Sequence, residues 1–160
     1  MNDKILELTA EIEDELRLIQ ELGIALKVTV RDLPVATRQE SVYLESIALK
    51  LHNFYTGCER IFTLISQELN GGIPQSQDWH IRLLRKMTLN IDSIRPAVLS
   101  RKTASLLDEY RSFRHVVRHI YGFELKLTRM SPLLDNFDNA LEAFETDIHS
   151  FIAFLKRIDP

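Results

Sequence analysis

The 160-residue sequence is poor in what a many-stranded fold needs. Five glycines and five prolines leave few turns, a scarcity that favours long helices. A single cysteine, Cys58, excludes an internal disulfide and a multi-cysteine metal site. Its place in an apolar-periodic stretch marks a reduced core thiol. No run approaches the roughly 20 apolar residues of a membrane span. The N-terminus, MNDKILELTAEIEDEL, lacks the continuous apolar core and small-residue cleavage site of a signal peptide. A cytoplasmic protein with no membrane partner is expected.

An excess of positive charge is also missing. Net charge is −3, which argues against a broadly basic, non-specific nucleic-acid binder. The distribution is uneven. Met1 to Glu21 holds seven acidic and two basic residues, whereas Arg101 to Arg129 holds seven basic and three acidic residues, plus His115 and His119. An anionic ligand belongs to that second region.

What the sequence does have is helical periodicity. Ile5, Leu8, Ile12, Leu16, Ile19 and Leu26 form one apolar stripe, with Asp3 as N-cap or first-turn acid and a weakening expected through VTVRDLP. Leu44, Ile47, Leu51, Phe54, Cys58, Ile61, Ile65 and Leu69 form a longer stripe that stops at Asn70-Gly71-Gly72. Gly57, inside it, points to close helix–helix approach. A short helix is expected over Trp79 to Asn90 and a fourth from an N-cap at Ser100 to Gly122. A last helix, opened by Ser131-Pro132, carries Leu134, Phe137, Leu141, Phe144, Ile148, Phe151 and Leu155. The expectation is a single domain over 1–160, an all-α up-and-down bundle of four to five helices.

The chemistry concentrates in LLDEYRSFRHVVRHIYGFEL, Leu106 to Leu125. On a helical wheel with Arg114 at zero, Tyr121 lies near −20°, Arg118 near 40°, Arg111 near 60°, His115 near 100° and His119 near 140°. Leu106, Phe113, Val116, Val117 and Ile120 fall at roughly 200–300°, the expected core side. Three arginines on one side repel unless an anion or acid compensates them, and Asp108 offsets only part. Two histidines four residues apart suit proton transfer near neutral pH. A solvated basic face edged by Tyr121 is the plain alternative.

Arg114-x4-His119-x-Tyr121 resembles the Arg-x4-His-x-Tyr motif of HEPN ribonuclease toxins of the HepT type, and His115 directly after the arginine fits the same pattern. FYTGCERIF (Phe54 to Phe62), WHIRLLRKM (Trp79 to Met87), RPAVLS (Arg95 to Ser100) and EYRSFRHVVRHIYGFEL also look like HepT-family blocks in the family's order. The resemblance covers roughly Phe54 to Leu125.

That resemblance implies a metal-independent endoribonuclease, the toxin of a HEPN/MNT toxin–antitoxin pair. His119 would be the general acid or base and Arg114 the clamp on the developing phosphorane charge. Arg111, His115 and Arg118 would hold the RNA backbone. Tyr121 would accept AMP from an MNT-type nucleotidyltransferase antitoxin, occupying the anion site and excluding RNA. The resemblance further implies a homodimer, two motifs sharing one cleft. RNA, with tRNA or mRNA as candidates, is the expected substrate. No DNA partner, cofactor or metal is expected. A non-catalytic HEPN-like module binding RNA or nucleotide is the alternative. A di-metal carboxylate bundle fails because no histidine has a glutamate three residues before it. His52, His80 and His149 read as structural or surface residues, and Glu59-Arg60 as a supporting ion pair at best.

Overall fold

The apolar stripes become long helices whose buried positions repeat every three or four residues. The computed structural model describes residues 2–35, 38–69, 71–119 and 125–158. Among them are six helices: α1 (Asp3–Asp32), α2 (Glu40–Leu69), α3 (Trp79–Lys86), α4 (Arg101–His119), α5 (Leu127–Asp135) and α6 (Phe137–Ile158). The expected all-α bundle is what forms, with four long helices and the short α3 and α5 in the connections. Within the described residues no helix is long and apolar enough to cross a membrane.

Contacts fix the directions. Arg60 reaches Glu15 and Gly57 lies against Ile19, so α1 and α2 run antiparallel. Glu13–Lys156 and Lys27–Asp138 pairs do the same for α1 and α6. The Ser100 amide donates to Asp147 and Tyr110 meets Phe137, which sets α4 antiparallel to α6. The four long helices therefore go up, down, up and down. An aromatic cluster locks three of them together. Phe54 of α2 meets Tyr110 of α4 at 5.1 Å and Phe137 of α6 at 4.9 Å, both edge-on. The Tyr110 hydroxyl donates to the Leu133 carbonyl at 2.6 Å, tying α4 to α5. Cys58 is buried in this core, and burial pushes its thiol well up.

Helix ends follow cap chemistry, and Asp3 stands in the first turn of α1 as expected. Three ends depart from expectation, the first being that of α3, which stops at Lys86 and not at Asn90. The Asn2 side chain, one residue before Asp3, caps α1 by accepting from the Lys4 amide. That helix also runs through Val28-Thr29-Val30 to Asp32. Val30 packs on the core, which outweighs β-branched propensity. Ser131-Pro132 does not open the last helix. Both lie inside α5, where the Ser131 hydroxyl donates to the Leu127 carbonyl. The break falls at Asn136, whose amide and side chain both donate to the Pro132 carbonyl while its own carbonyl receives Ala140. Ser100 caps α4 as expected, its hydroxyl accepting from the Thr103 amide. The expected end of that helix at Gly122 lies outside the described residues. Gly71 and Gly72, with φ of 77° and 122°, adopt the left-handed conformations that end α2. Between α3 and α4 the buried Arg95 donates to the carbonyls of Lys86, Leu89 and Pro96, shaping the loop into α4.

Candidate functional site

The side of α4 that packs inward is rotated from the wheel reading. Thr103, Leu107, Tyr110 and Phe113 are its buried residues. Leu107 and Tyr110 lie at about 20° and −40° on the wheel, either side of Arg114. Arg114 therefore sits on the packed edge of α4 and not on a solvent face opposite the core. Its side chain is 14% exposed.

Arg114 faces α2, where Glu59 meets it. Nη1 of Arg114 donates to Glu59 Oε1 at 2.8 Å. The other carboxylate oxygen, Oε2, lies 2.7 Å from Nδ1 of His80, on α3. A carboxylate only accepts, so Nδ1 carries the proton and donates. Nη1 and Nδ1 stand 3.3 Å apart, both aimed at the one carboxylate. Trp79 lies against the His80 ring with centroids 3.5 Å apart. Glu59, 7% exposed, thus joins α2, α3 and α4. Removing one partner of such a buried pair strands the other, at a cost of about 3–5 kcal/mol. The sequence reading paired Glu59 with Arg60, but Arg60 reaches Glu15 instead, and the contact of Glu59 with Arg114 and His80 is what that reading missed. A signal was present: His52, Tyr55 and Glu59 recur at steps of three and four, a polar line beside the apolar stripe.

That polar line carries unusual electrostatics. His52 Nδ1, the Tyr55 hydroxyl and Arg114 Nε are buried with no hydrogen-bond partner among the described residues. Burial pushes the His52 imidazole below the usual histidine range, and the Arg114 and Arg118 guanidiniums push it the same way. Tyr55 is raised mainly by burial and then by the Glu59 charge. Of the three Arg114 nitrogens, Nη1 is bonded and Nε is enclosed, which leaves Nη2 as the one able to meet a ligand.

The remaining candidates lie at increasing angles from Arg114, with Arg118 and Arg111 nearest it and His115 and His119 farthest round the helix. Arg111 is held by Asp108 at 2.7 Å, one turn back, and is 20% exposed. Arg118, His115 and His119 are exposed. Arg118 has no ion-pair partner among the described residues. The imidazoles of His115 and His119 stack with centroids 4.1 Å apart. Nδ1 of His119 lies 2.8 Å from the His115 carbonyl. Because a carbonyl only accepts, Nδ1 is the protonated nitrogen, and Nε2 of the neutral ring keeps its lone pair. The contact thus sets the tautomer of the neutral His119 ring, on a residue that is exposed. Arg114 and His119 are about 7.5 Å apart along the helix axis and about 140° apart around it. Among the described residues no hydrogen bond joins the Arg114–Glu59–His80 group to the His115–His119 pair. Tyr121 lies outside the described residues. No group of three or more His, Cys, Asp or Glu among the described residues has the spacing of a metal site.

One comparison with known proteins gives a match. A family model described as HepT-like protein matches residues 46–155, which is more than half of the chain and includes the whole of α3, α4 and α5. No curated protein and no solved structure gives a match.

Proposed function

The chain belongs to the HepT-like family, and from that membership we propose that it is the toxin of a HEPN/MNT pair, an endoribonuclease needing no metal. The observation that carries this reading is the His119 ring. Its Nδ1–H is committed to the His115 carbonyl, so Nε2 is free to take a proton. RNA supplies its own nucleophile. The 2′-hydroxyl loses its proton to Nε2 and its oxygen attacks the adjacent phosphorus. The 5′-oxygen leaves with a proton from an imidazolium, giving a 2′,3′-cyclic phosphate and a 5′-hydroxyl. Arg114 meets the charge that builds on the non-bridging oxygens, through Nη2. Arg118 and His115 on the exposed side, and Arg111 beside them, hold the backbone on either side of the scissile bond.

One exposed imidazole of fixed tautomer serves as base or acid but not both in the same step. A homodimer supplies the second from its other protomer, and the two copies of α4 then border one cleft. Tyr121 is the acceptor for AMP from the nucleotidyltransferase antitoxin. The added phosphate brings negative charge next in sequence to the Arg114–His119 motif, and the RNA backbone is excluded.

Purified protein should cleave RNA in excess chelator. His119→Ala should be inactive with unchanged helicity, because the exposed ring contributes nothing to the core. Cleavage that requires added divalent ion, or full activity in His119→Ala, would falsify the assignment. Intact mass after co-expression with the antitoxin should rise in AMP units for wild type and not for Tyr121→Phe.

A further inference from the structure

We propose that Glu59 and His80 are positioning residues for Arg114: the carboxylate fixes the guanidinium so that Nη2 faces the reacting phosphate, and His80 fixes the carboxylate. This inference deepens the ribonuclease reading and rests on it. The geometry is a chain of single contacts. Trp79 packs on His80, His80 Nδ1–H donates to Oε2 at 2.7 Å, and Oε1 receives Nη1 of Arg114 at 2.8 Å. The pairing is one-pronged. A bidentate carboxylate would occupy two guanidinium nitrogens, whereas here one terminal nitrogen is held and the other is left for a ligand.

Burial makes the arrangement stiff. Glu59 is 7% exposed and grips α3 on one oxygen and α4 on the other, so neither oxygen can swing away without stranding a partner. An arginine carries several free torsions, and holding it before substrate arrives removes an ordering cost from the reaction step. Sequestration of Arg114 away from RNA is the opposite role for the same contact. The one-pronged geometry favours positioning, since Nη2 is neither bonded to a described residue nor among the enclosed nitrogens.

The test compares Glu59→Gln, His80→Asn and His80→Leu in the full chain, each checked for helicity and melting temperature. Gln keeps the shape of Glu59 and deletes its charge. Asn places an N–H near the position of His80 Nδ1, and Leu places none. Glu59→Gln should lower kcat by about 10- to 100-fold, the worth of one charge-assisted hydrogen bond, with KM little changed. His80→Asn should recover most of the kcat that His80→Leu loses, a rescue that a merely structural role would not show. Wild-type or higher kcat in Glu59→Gln, or losses in both His80 variants that track melting temperature, overturns the proposal. Nitrogen-15 NMR of the Arg114 side chain separates this outcome from failure of the ribonuclease reading. A wild-type protein inert on RNA removes that reading alone. An ordered Arg114 Nε–H signal in wild type, broadened in Glu59→Gln and His80→Leu but kept in His80→Asn, upholds the positioning. A mobile guanidinium in wild type overturns it.

Discussion

Replacing Gly57 by alanine sets two effects of opposite sign against each other. Alanine in a helix interior is favoured over glycine by up to about 1 kcal/mol. A Cβ at this position, however, would stand 2.8 Å from Ile19 Cγ1 and 3.2 Å from its Cδ1. Carbon atoms prefer about 3.5–4.0 Å, so the overlap is roughly 1 Å. Cγ1 is the first atom beyond a branched Cβ, and Ile19 is 2% exposed, so the side chain cannot rotate out of the way. α1 and α2 must separate, and overpacking of this kind costs about 1–3 kcal/mol. The clash wins. Gly57→Ala should lose about 1–2 kcal/mol, lowering the melting temperature by about 2–8 °C for a chain of this length. Chemical denaturation of a double-mutant cycle gives the cause. Ile19→Ala alone should cost about 2–5 kcal/mol by leaving a cavity, and the pair should lose less than the sum because alanine at 57 fills part of that space. A Gly57→Ala protein as stable as wild type, or additive losses, would refute the reasoning.

Tyr110→Phe removes the hydroxyl that reaches the Leu133 carbonyl and strands that buried oxygen, so denaturation should show a loss of about 1–3 kcal/mol. A change inside measurement error would mean that the carbonyl finds another partner. His52 gives stability a pH dependence. Its folded pKa is lowered from 6.5, so on acidification the unfolded chain takes up a proton before the folded one does. Stability from this group is full above the unfolded value and falls as pH drops toward the folded one. Melting temperature followed from neutral pH to about pH 5 should fall less steeply in His52→Gln than in wild type. Identical slopes would remove His52 from the account.

Regular apolar spacing carried the fold in the sequence. The stripes of Ile5 to Leu26 and Leu44 to Ile65 are buried at each position named for them, because a three–four repeat admits one buried face. Elements whose ends depend on tertiary contacts were less legible. Val30 packs on the core and keeps α1 going, and Asn136 closes α5 where Ser131-Pro132 looked like a start. Arg114 and His119 were readable as residues of one helix, but not which way the arginine faces. Tyr110 and Leu107 flank Arg114 on the wheel, and counting Tyr110 as core would have turned Arg114 inward. Glu59 and His80, 21 residues apart in sequence, meet only because α3 folds back on α2. No local pattern announces such a contact, although a glutamate on the packed side of α2 needs a partner of opposite charge.

The most direct measurement of the central claim uses a short RNA with one 2′-deoxy nucleotide placed 5′ to the mapped cleavage site, incubated with wild-type protein in excess chelator. The account requires that the unmodified RNA be cut to a 2′,3′-cyclic phosphate and a 5′-hydroxyl, and that the substituted RNA survive at that bond and nowhere else. Cleavage of the substituted bond at the wild-type rate, or products ending in a 5′-phosphate, would show that the 2′-hydroxyl is not the nucleophile and that His119 does not act as proposed.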